Sequence, residues 1–565
     1  MTPEHTDVAL VGLGAAGGIA AHALTAAGLD VVALEAGPRL DASAATFDEI
    51  ENVVHARLSE PKARGEVPTW RLSADDVAGP SPWPMLMVNA VGGTTLHYEG
   101  LGIRFLPWTF RSRSGAIERY GASAIPADST LADWPLSYDD LEPFYDAVEY
   151  AIGVAGAASH VGRETDPRGN FFEGRRARPY PMPPLRPTGW SALTEQAARR
   201  LGWHPFTAPA NINSQSFDGR PACTYCGFCM HNVCYCDAKG ATHLTVIRDA
   251  ESTGLLRIQT GARVVRVEVG TDGRASGVTY VAEGDERFLS AKSVLLATFT
   301  YENARLLLLS TSRLFPSGLS NNHGQVGKHY IAHVVPRVHA VFPGRRLNLF
   351  NGIGSQVTAI DDFNADNFDH TGLGFLSGGM FLTNHELSPI AFASDRLPSS
   401  VPRWGGAWKG WIARHAQSVG AAYAQFDALP YESNALDLDP VTTDPFGIPV
   451  VRVTHRIGQN EELAANFLFT RLEEWLMEAG ASETWRSPPL IEGRHCYGGT
   501  RMGHDADTSV VDAYGFSHEV SNLGILGAST FPTAGGHNPT LTVQALSWRT
   551  AARLVDDWGS ITGSS

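Results

Sequence analysis

Two short apolar runs flank an alanine-rich stretch at the start of the chain. "DVALVG" (Asp7–Gly12) is almost uninterrupted in its apolar residues, the pattern of a strand buried on both faces. "GIAAHALTAAG" (Gly18–Gly28) is rich in helix formers and closes on glycine, which predicts a helix with its stop. "DVVALE" (Asp30–Glu35) is a second buried strand ending on an acid. Strand, helix and strand together predict a βαβ unit. "SVLLATFTYENARLLLLS" (Ser293–Ser310) repeats the sequence of apolar strand and helix. "LPYESNALDLDPVTTDPFGIPVVRVTHR" (Leu429–Arg456) alternates in patches instead, with turns at Asp439-Pro440 and Asp444-Pro445-Phe446-Gly447, and predicts antiparallel strands. In "WGGAWKGW", Trp404, Trp408 and Trp411 share one face of a helix, where plain packing is expected and stacking on a sugar ring is the alternative.

Composition narrows the class. At 565 residues the chain exceeds one ordinary core and predicts two closely joined domains or one composite one. Its formal charge of −15 disfavours nucleic acid, which calls for a basic face, and leaves neutral or cationic small substrates open. Val8–Leu29 lacks Asp, Glu, Lys and Arg and is long enough to span a bilayer, but it is glycine-rich and follows an acidic stretch. The expectation is a soluble, cytoplasmic protein with no membrane partner.

The loop between the two N-terminal strands carries the first candidate chemistry. Gly12, Gly14 and Gly17 make G-x-G-x-x-G. Gly12 permits a tight turn, Gly14 lets the backbone approach a pyrophosphate, and Gly17 lets helix and strand pack closely. The helix N-terminus then faces the phosphate charge, and Glu35 is placed to bind ribose hydroxyls. FAD and NAD share this unit; its position at the N-terminus, with "EAGP" after the second strand, favours FAD.

With these segments the chain resembles the glucose–methanol–choline (GMC) oxidoreductases over nearly its whole length. "VGLGAAGGIAAHALTAAGLDVVALEAGP" resembles the family's FAD fingerprint, and "NAVGGTTLHYEGLGIRF" (Asn89–Phe105) its glycine-rich flavin loop. Ser293–Ser310 is similar to the strand and helix that return to the cofactor. "HCYGGTRMGHD" (His495–Asp505) and "NLGILGASTFPTAGGHNPTLTVQALSWRTA" (Asn522–Ala551) resemble the closing catalytic segments. With "DWPLSYDDLEPFY" (Asp133–Tyr145), they bring the chain near bacterial sugar and polyol members: gluconate and fructose dehydrogenase flavin subunits, pyranose and glycoside oxidases, and aminoglycoside-pathway flavin dehydrogenases.

The resemblance implies a fold of mixed α/β and α+β class. A discontinuous Rossmann-like FAD domain (1–110, 205–330, 490–565) joins an antiparallel-sheet substrate domain (111–204, 331–489), and Leu429–Arg456 belongs to a sheet that roofs the flavin. It places Gly12, Gly14, Ala15, Ala16, Gly17, Glu35, Ala36, Gly92, Gly93, Thr94, Thr95, His97, Val265, Ala297, Gly527, Ala528, His537, Pro539 and Thr540 around FAD. Thr94 and Thr95 are expected to donate hydrogen bonds near the flavin ring. His97 invites comparison with a histidine that binds flavin covalently in fungal pyranose oxidases, but "TLHYEG" departs from that context, and a packed or hydrogen-bonded His97 is expected. The resemblance further implies a catalytic pair, His495 and Asn538. Oxidising an alcohol needs a base for the hydroxyl proton, for which His is suited, while an amide both donates to and accepts from the substrate oxygen. His537 is the competing base, expected to point away as the neighbour of Asn538.

"CTYCGFCMHNVCYC" gathers five of the six cysteines: Cys223, Cys226, Cys229, Cys234 and Cys236. C-x2-C-x2-C is a spacing iron–sulfur ligands use, but the continuation departs from the ferredoxin run. Related sugar dehydrogenases hold an iron–sulfur cluster here with different cysteine spacing. Zinc on four of these residues or His231, disulfides and plain thiols are the other readings. Thiols or disulfides are favoured over a metal. The activity expected is oxidation of a sugar-like pyranoside, polyol or aminosugar hydroxyl, with oxygen or another electron acceptor. The alternatives are a dehydrogenase wired to an iron–sulfur or haem partner, and a non-redox lyase or isomerase.

Overall fold

The first apolar run becomes the strand Glu4–Val11, the hub of a seven-stranded sheet. It pairs in parallel with Val31–Glu35 on one side and Asp285–Leu296 on the other. Leu256–Thr260 and Leu523–Ile525 extend the parallel part, while Ala275–Ala282 and Arg263–Val269 add two antiparallel strands. The glycines set the connection into the helix Ala15–Ala26. Gly12 has φ +87°, and a Cβ on Gly17 would stand 2.1 Å from the Gly12 carbonyl oxygen. That helix packs against the C-terminal helix Thr540–Asp556. This computed structural model describes residues 4–563 apart from 60, 61, 63, 64, 83–86 and 385–387.

A second sheet of six antiparallel strands runs in the order Glu483–Tyr497, Ile331–Val341, Val419–Phe426, Gly379–Thr383, Thr358–Ile360, Pro205–Thr207. The helix Gln459–Glu478 lies across three of these strands and covers one face. Side chains alternate along a strand, so the opposite face carries a separate set: Val335, Arg337, Tyr423 and Gln425. The division expected at residue 490 falls inside Glu483–Tyr497, and Pro205–Thr207 joins this second sheet.

Ala435–Thr443 and Pro449–Thr454 are antiparallel strands, as the alternating pattern implies. They do not roof the cofactor side. They pair instead with Thr69–Arg71 and Gly79–Pro80 in a separate four-stranded sheet. Polar ties hold them there: Thr69 donates to Asp439 at 2.6 Å, and Arg305 donates to Asp444 at 2.8 Å and to the Pro449 carbonyl at 2.7 Å. The tryptophans also lie away from the cavity. Trp411 is buried on the helix Gly405–His415, Trp408 donates to the Ala393 carbonyl at 2.9 Å, and Trp404, at the helix N-cap, is 82% exposed. Among the described residues no helix is long and apolar enough to cross a membrane.

Candidate active site

A cavity of about 470 Å³ opens between the two large sheets. Its lining brings together Gly12, Gly14, Ala15, Ala16, Glu35, Ala36, Gly93, Thr94, Thr95, His97, Ala297, His495, Gly527, Ala528, Asn538, Pro539 and Thr540. Four expected positions fall outside that lining: Gly17, Gly92, Val265 and His537. Gly17 acts through packing, as its contact with Gly12 requires. Gly92, at φ +95°, backs onto His243, whose Nδ1 would be 2.9 Å from a Cβ there. On the strand Arg263–Val269 the cavity is reached by Arg263 and Val264 at its start, and not by Val265. His537 is held by a buried network: its Nε2 lies 2.9 Å from Asp361 Oδ2 and 3.0 Å from Asn364 Nδ2.

The glycine end of the cavity fits a dinucleotide. Gly14 and Gly93 face each other so closely that a Cβ on Gly93 would sit 2.8 Å from the Gly14 Cα. A Cβ on Gly14 would meet nothing nearer than 3.7 Å, which leaves its backbone open to the cavity. No acidic side chain occupies the first turn of Ala15–Ala26, so its positive end is available to phosphate. Glu35 accepts from the Leu13 amide at 3.0 Å and the Gly37 amide at 2.9 Å. Burial pushes its carboxyl up despite these two donors, and each oxygen keeps a lone pair for a ribose hydroxyl. Removing the carboxylate loses those bonds and strands two amides. Glu35→Ala should therefore raise the FAD dissociation constant about ten- to a hundredfold, measured by titrating apoprotein with FAD. An unchanged constant would remove Glu35 from the cofactor site.

Beside Glu35 the cavity wall holds a balanced charge cluster. Lys62 and Arg263 both bind Glu66, and Lys62 also contacts Glu302 at 3.3 Å. Burial alone would raise the Glu66 carboxyl, but Lys62 and Arg263 hold it at about 2. In the flavin loop Thr94 donates towards Met87 Sδ at 3.6 Å. Thr95 donates to the Gly92 carbonyl at 2.5 Å and accepts from the Thr242 amide at 3.1 Å. The Thr95 hydroxyl proton is thus spent on the loop rather than offered to a ring. His97 is buried and its ring stacks on His231 at 5.8 Å.

His495 reaches the cavity because its strand bulges. The ladder with Ile331–Val341 jumps from the Ala332–Cys496 pair to His333–Glu492, which leaves residues 493–495 looped out. Bulges of this kind re-aim side chains beside functional sites. The His495 Nδ1 lies 3.1 Å from His333 Nδ1, with the rings edge to face. Asn538 precedes the helix Thr540–Asp556, and its Oδ1 is a buried acceptor without a partner. Towards the second sheet the lining turns polar, with Glu99, Arg337, Asn384, Arg396, Tyr423 and Gln425. Gln425 is 4% exposed and its Oε1 is likewise unpartnered.

The chain is similar to known proteins over most of its length. A GMC oxidoreductase family profile matches residues 430–547. The gluconate 2-dehydrogenase flavoprotein of Pantoea cypripedii is 32% identical, over 98% of this chain and 94% of that one. The chain belongs to the GMC oxidoreductases. The fructose dehydrogenase large subunit of Gluconobacter japonicus is 28% identical over 98% of both chains. The fold is that of formate oxidase from Aspergillus oryzae RIB40, with a TM-score of 0.63 at 15% identity, covering 99% of this chain and 100% of that one. As a GMC oxidoreductase the protein is an FAD-dependent enzyme acting on an alcohol group.

In this GMC oxidoreductase the cysteine loop lies against the flavin loop, through His231 on His97. Cys234 and Cys236 approach to 3.9 Å between sulfurs. The hydrogen bond with Cys236, with Lys239 nearby and despite burial, holds the Cys234 thiol down at about 5. Lys239 is itself buried, its ammonium spent on the carbonyls of Leu96, Cys229 and Asn232 at 2.9–3.2 Å. Among the described residues no disulfide forms, and no three His, Cys, Asp or Glu side chains are grouped to hold a metal ion. Two further site residues were hidden in the sequence. Asn303 of "TYENA" accepts from the Thr298 amide and hydroxyl and donates to the Leu526 carbonyl at 2.8 Å, which locks two cavity walls together. A buried Asn in an apolar helix was the available signal. His333 is the other.

Proposed function

We propose that this enzyme oxidises a hydroxyl of a polyhydroxylated, sugar-like substrate to a carbonyl. His495 is the base that takes the hydroxyl proton, and Asn538 holds the substrate oxygen. FAD, when bound, supplies the hydride acceptor. The observation that carries the reading is the convergence of His495 and the unpartnered Asn538 Oδ1 on the cavity that contains the glycine cradle. Gly12, Gly14, Gly93 and Glu35 hold the cofactor, and Gly527, Ala528, Pro539 and Thr540 close over it.

A hydroxyl-rich substrate is supported by the polar end of the cavity. Glu99 carries acceptors, Arg337 and Arg396 carry donors, and Asn384, Tyr423 and Gln425 carry both. An apolar alcohol would leave Gln425 Oε1 desolvated and unpaired, a cost of about 1–3 kcal/mol. The names of the relatives, gluconate and fructose dehydrogenases, point the same way.

The test is anaerobic mixing of the yellow enzyme with polyols, pyranosides, aldonates and aminosugars, following the flavin band. Bleaching by at least one of these, and not by a simple aliphatic alcohol of equal size, is the expected result. Turnover of a sugar with no bleaching would instead assign a non-redox lyase or isomerase. Reoxidation of the bleached enzyme in air separates an oxidase from a dehydrogenase that needs another acceptor.

A further inference from the structure

We propose that Phe299 is a cofactor-binding residue whose ring packs on FAD. This rests on the glycine cradle as the FAD site, and not on the choice of base or substrate. The backbone of Phe299 points there. It has φ +86° and ψ 159°, a region in which a side chain crowds its own backbone and which only glycine adopts freely. Gly121, at φ +83° and ψ 159°, and Gly527, at φ +107° and ψ −177°, occupy the same region as glycines. Among the described residues, the other non-glycine residues of positive φ lie between 46° and 70°, where side chains are better tolerated. A glycine at 299 would remove the strain, so the phenyl ring is kept against a conformational cost.

The strained residue is tied down on both sides. The Thr298 amide and hydroxyl donate to Asn303 Oδ1 at 3.1 and 2.7 Å, and the Asn303 amide donates to the Phe299 carbonyl at 2.8 Å. The Thr300 hydroxyl donates to the Cys496 carbonyl at 2.6 Å. Thr298 Cα would stand 3.3 Å from a Cβ on Gly12, and Cys496 directly follows His495. Phe299 therefore sits in the short segment that links the glycine cradle to the strand of the catalytic histidine. Its ring meets that of Tyr301 edge to face, with 5.2 Å between centroids. Tyr301 is buried and its hydroxyl is bonded to that of Tyr330 at 2.8 Å, so the phenyl ring is braced from behind. Phe299 itself is half-buried and lines the cavity. A braced aromatic ring in the wall of a dinucleotide cavity offers rigid apolar area for the cofactor to cover.

Two variants test this, each as the full chain stripped of FAD: Phe299→Gly and Phe299→Leu. Glycine relieves the strain and deletes the ring. Leucine keeps the strained backbone and much of the apolar bulk, but not the ring. Thermal unfolding without FAD and titration with FAD are measured for both and for wild type. Phe299→Gly should unfold within about 4 °C of the wild-type midpoint, because relief of strain offsets the lost Tyr301 contact and the freer unfolded chain. It should bind FAD about ten- to a hundredfold more weakly, the share of a buried aromatic side chain. Phe299→Leu should weaken binding by about three- to tenfold. A larger fall in the FAD-free midpoint of the glycine variant assigns the ring to the core and overturns the proposal. FAD affinity within about twofold of wild type in both variants overturns it as well. Should the glycine variant fail to fold, the leucine variant decides: a threefold or greater loss of affinity at an unchanged midpoint supports the proposal, and unchanged affinity overturns it. Failure of the cradle reading itself looks different, since Glu35→Ala would then also bind FAD as wild type does.

Discussion

His495→Ala should keep its yellow colour and reduce its flavin two to four orders of magnitude more slowly than wild type, the span usual for loss of a general base. The expectation follows from geometry rather than from the residue type alone. The chain has 20 histidines, and only those aimed at the cofactor cavity can serve. Among the described lining residues these are His97, His231 and His495. His97, in the flavin loop, stacks on His231, whereas His495 reaches the cavity from the bulged strand of the second sheet. Asn538→Ala removes a hydrogen-bonding group but leaves the base, so it should slow reduction less, by about tenfold to a thousandfold. His537→Ala tests the competing base. Its Nε2 is engaged by Asp361 and Asn364, so the change should act on stability more than on the chemical step. Flavin reduction at full rate in His495→Ala, with collapse in His537→Ala, would reverse the assignment.

The parts of this site that the sequence reveals are those whose chemistry permits few residues. Gly12 needs a positive φ and Gly17 has no room for a Cβ, so their spacing is dictated by the backbone and can be read directly. Glu35 ends a buried strand, where an acid has few uses besides binding. His333 and Arg337 are of the opposite kind. In "IAHVVPRVHA" polar residues at alternate positions have the pattern of a strand with one wet face. What makes that face a cavity wall is the helix Gln459–Glu478 on the other side, more than a hundred residues away in the chain. The hairpin Ala435–Thr454 shows the same limit. Its alternation identifies the strands, but its neighbour Thr69–Arg71 lies over three hundred residues earlier, and nothing local specifies that register. The tryptophan face was likewise legible as a spacing, while its destination, a packed helix apart from the cavity, was a matter of tertiary placement.

Glu149→Ala should be among the most destabilising single changes in the molecule, at about 3–5 kcal/mol, although Glu149 lies outside the cavity. The residue sits near the end of the helix Tyr138–Ile152 with no exposed surface. It accepts from Arg104 twice, at Nε (2.8 Å) and Nη2 (2.9 Å), and also from Arg176, which is fully buried as well. Glu142 takes the remaining arm of Arg104 at 3.0 Å. Truncation would leave two guanidiniums in the interior with their central carboxylate gone, and arginine has no route to neutrality. The damage would spread towards function. Arg104 lies at the end of the flavin loop, and the helix that carries Glu149 meets the helix Thr540–Asp556 through the hydrogen bond of 2.7 Å between Tyr145 and Thr542. The same C-terminal helix begins at Thr540, directly after Asn538 and Pro539. With a whole-domain stability of about 5–15 kcal/mol, the loss should appear as a lower thermal midpoint and as FAD release at a lower temperature. Glu118→Ala is the control, since its partner Arg111 forms an exposed pair whose removal should cost no more than about 1 kcal/mol. Equal midpoints for the two variants would mean that water or a rearranged carboxylate reaches Arg104 and Arg176, and that the triad does not brace the cofactor loop.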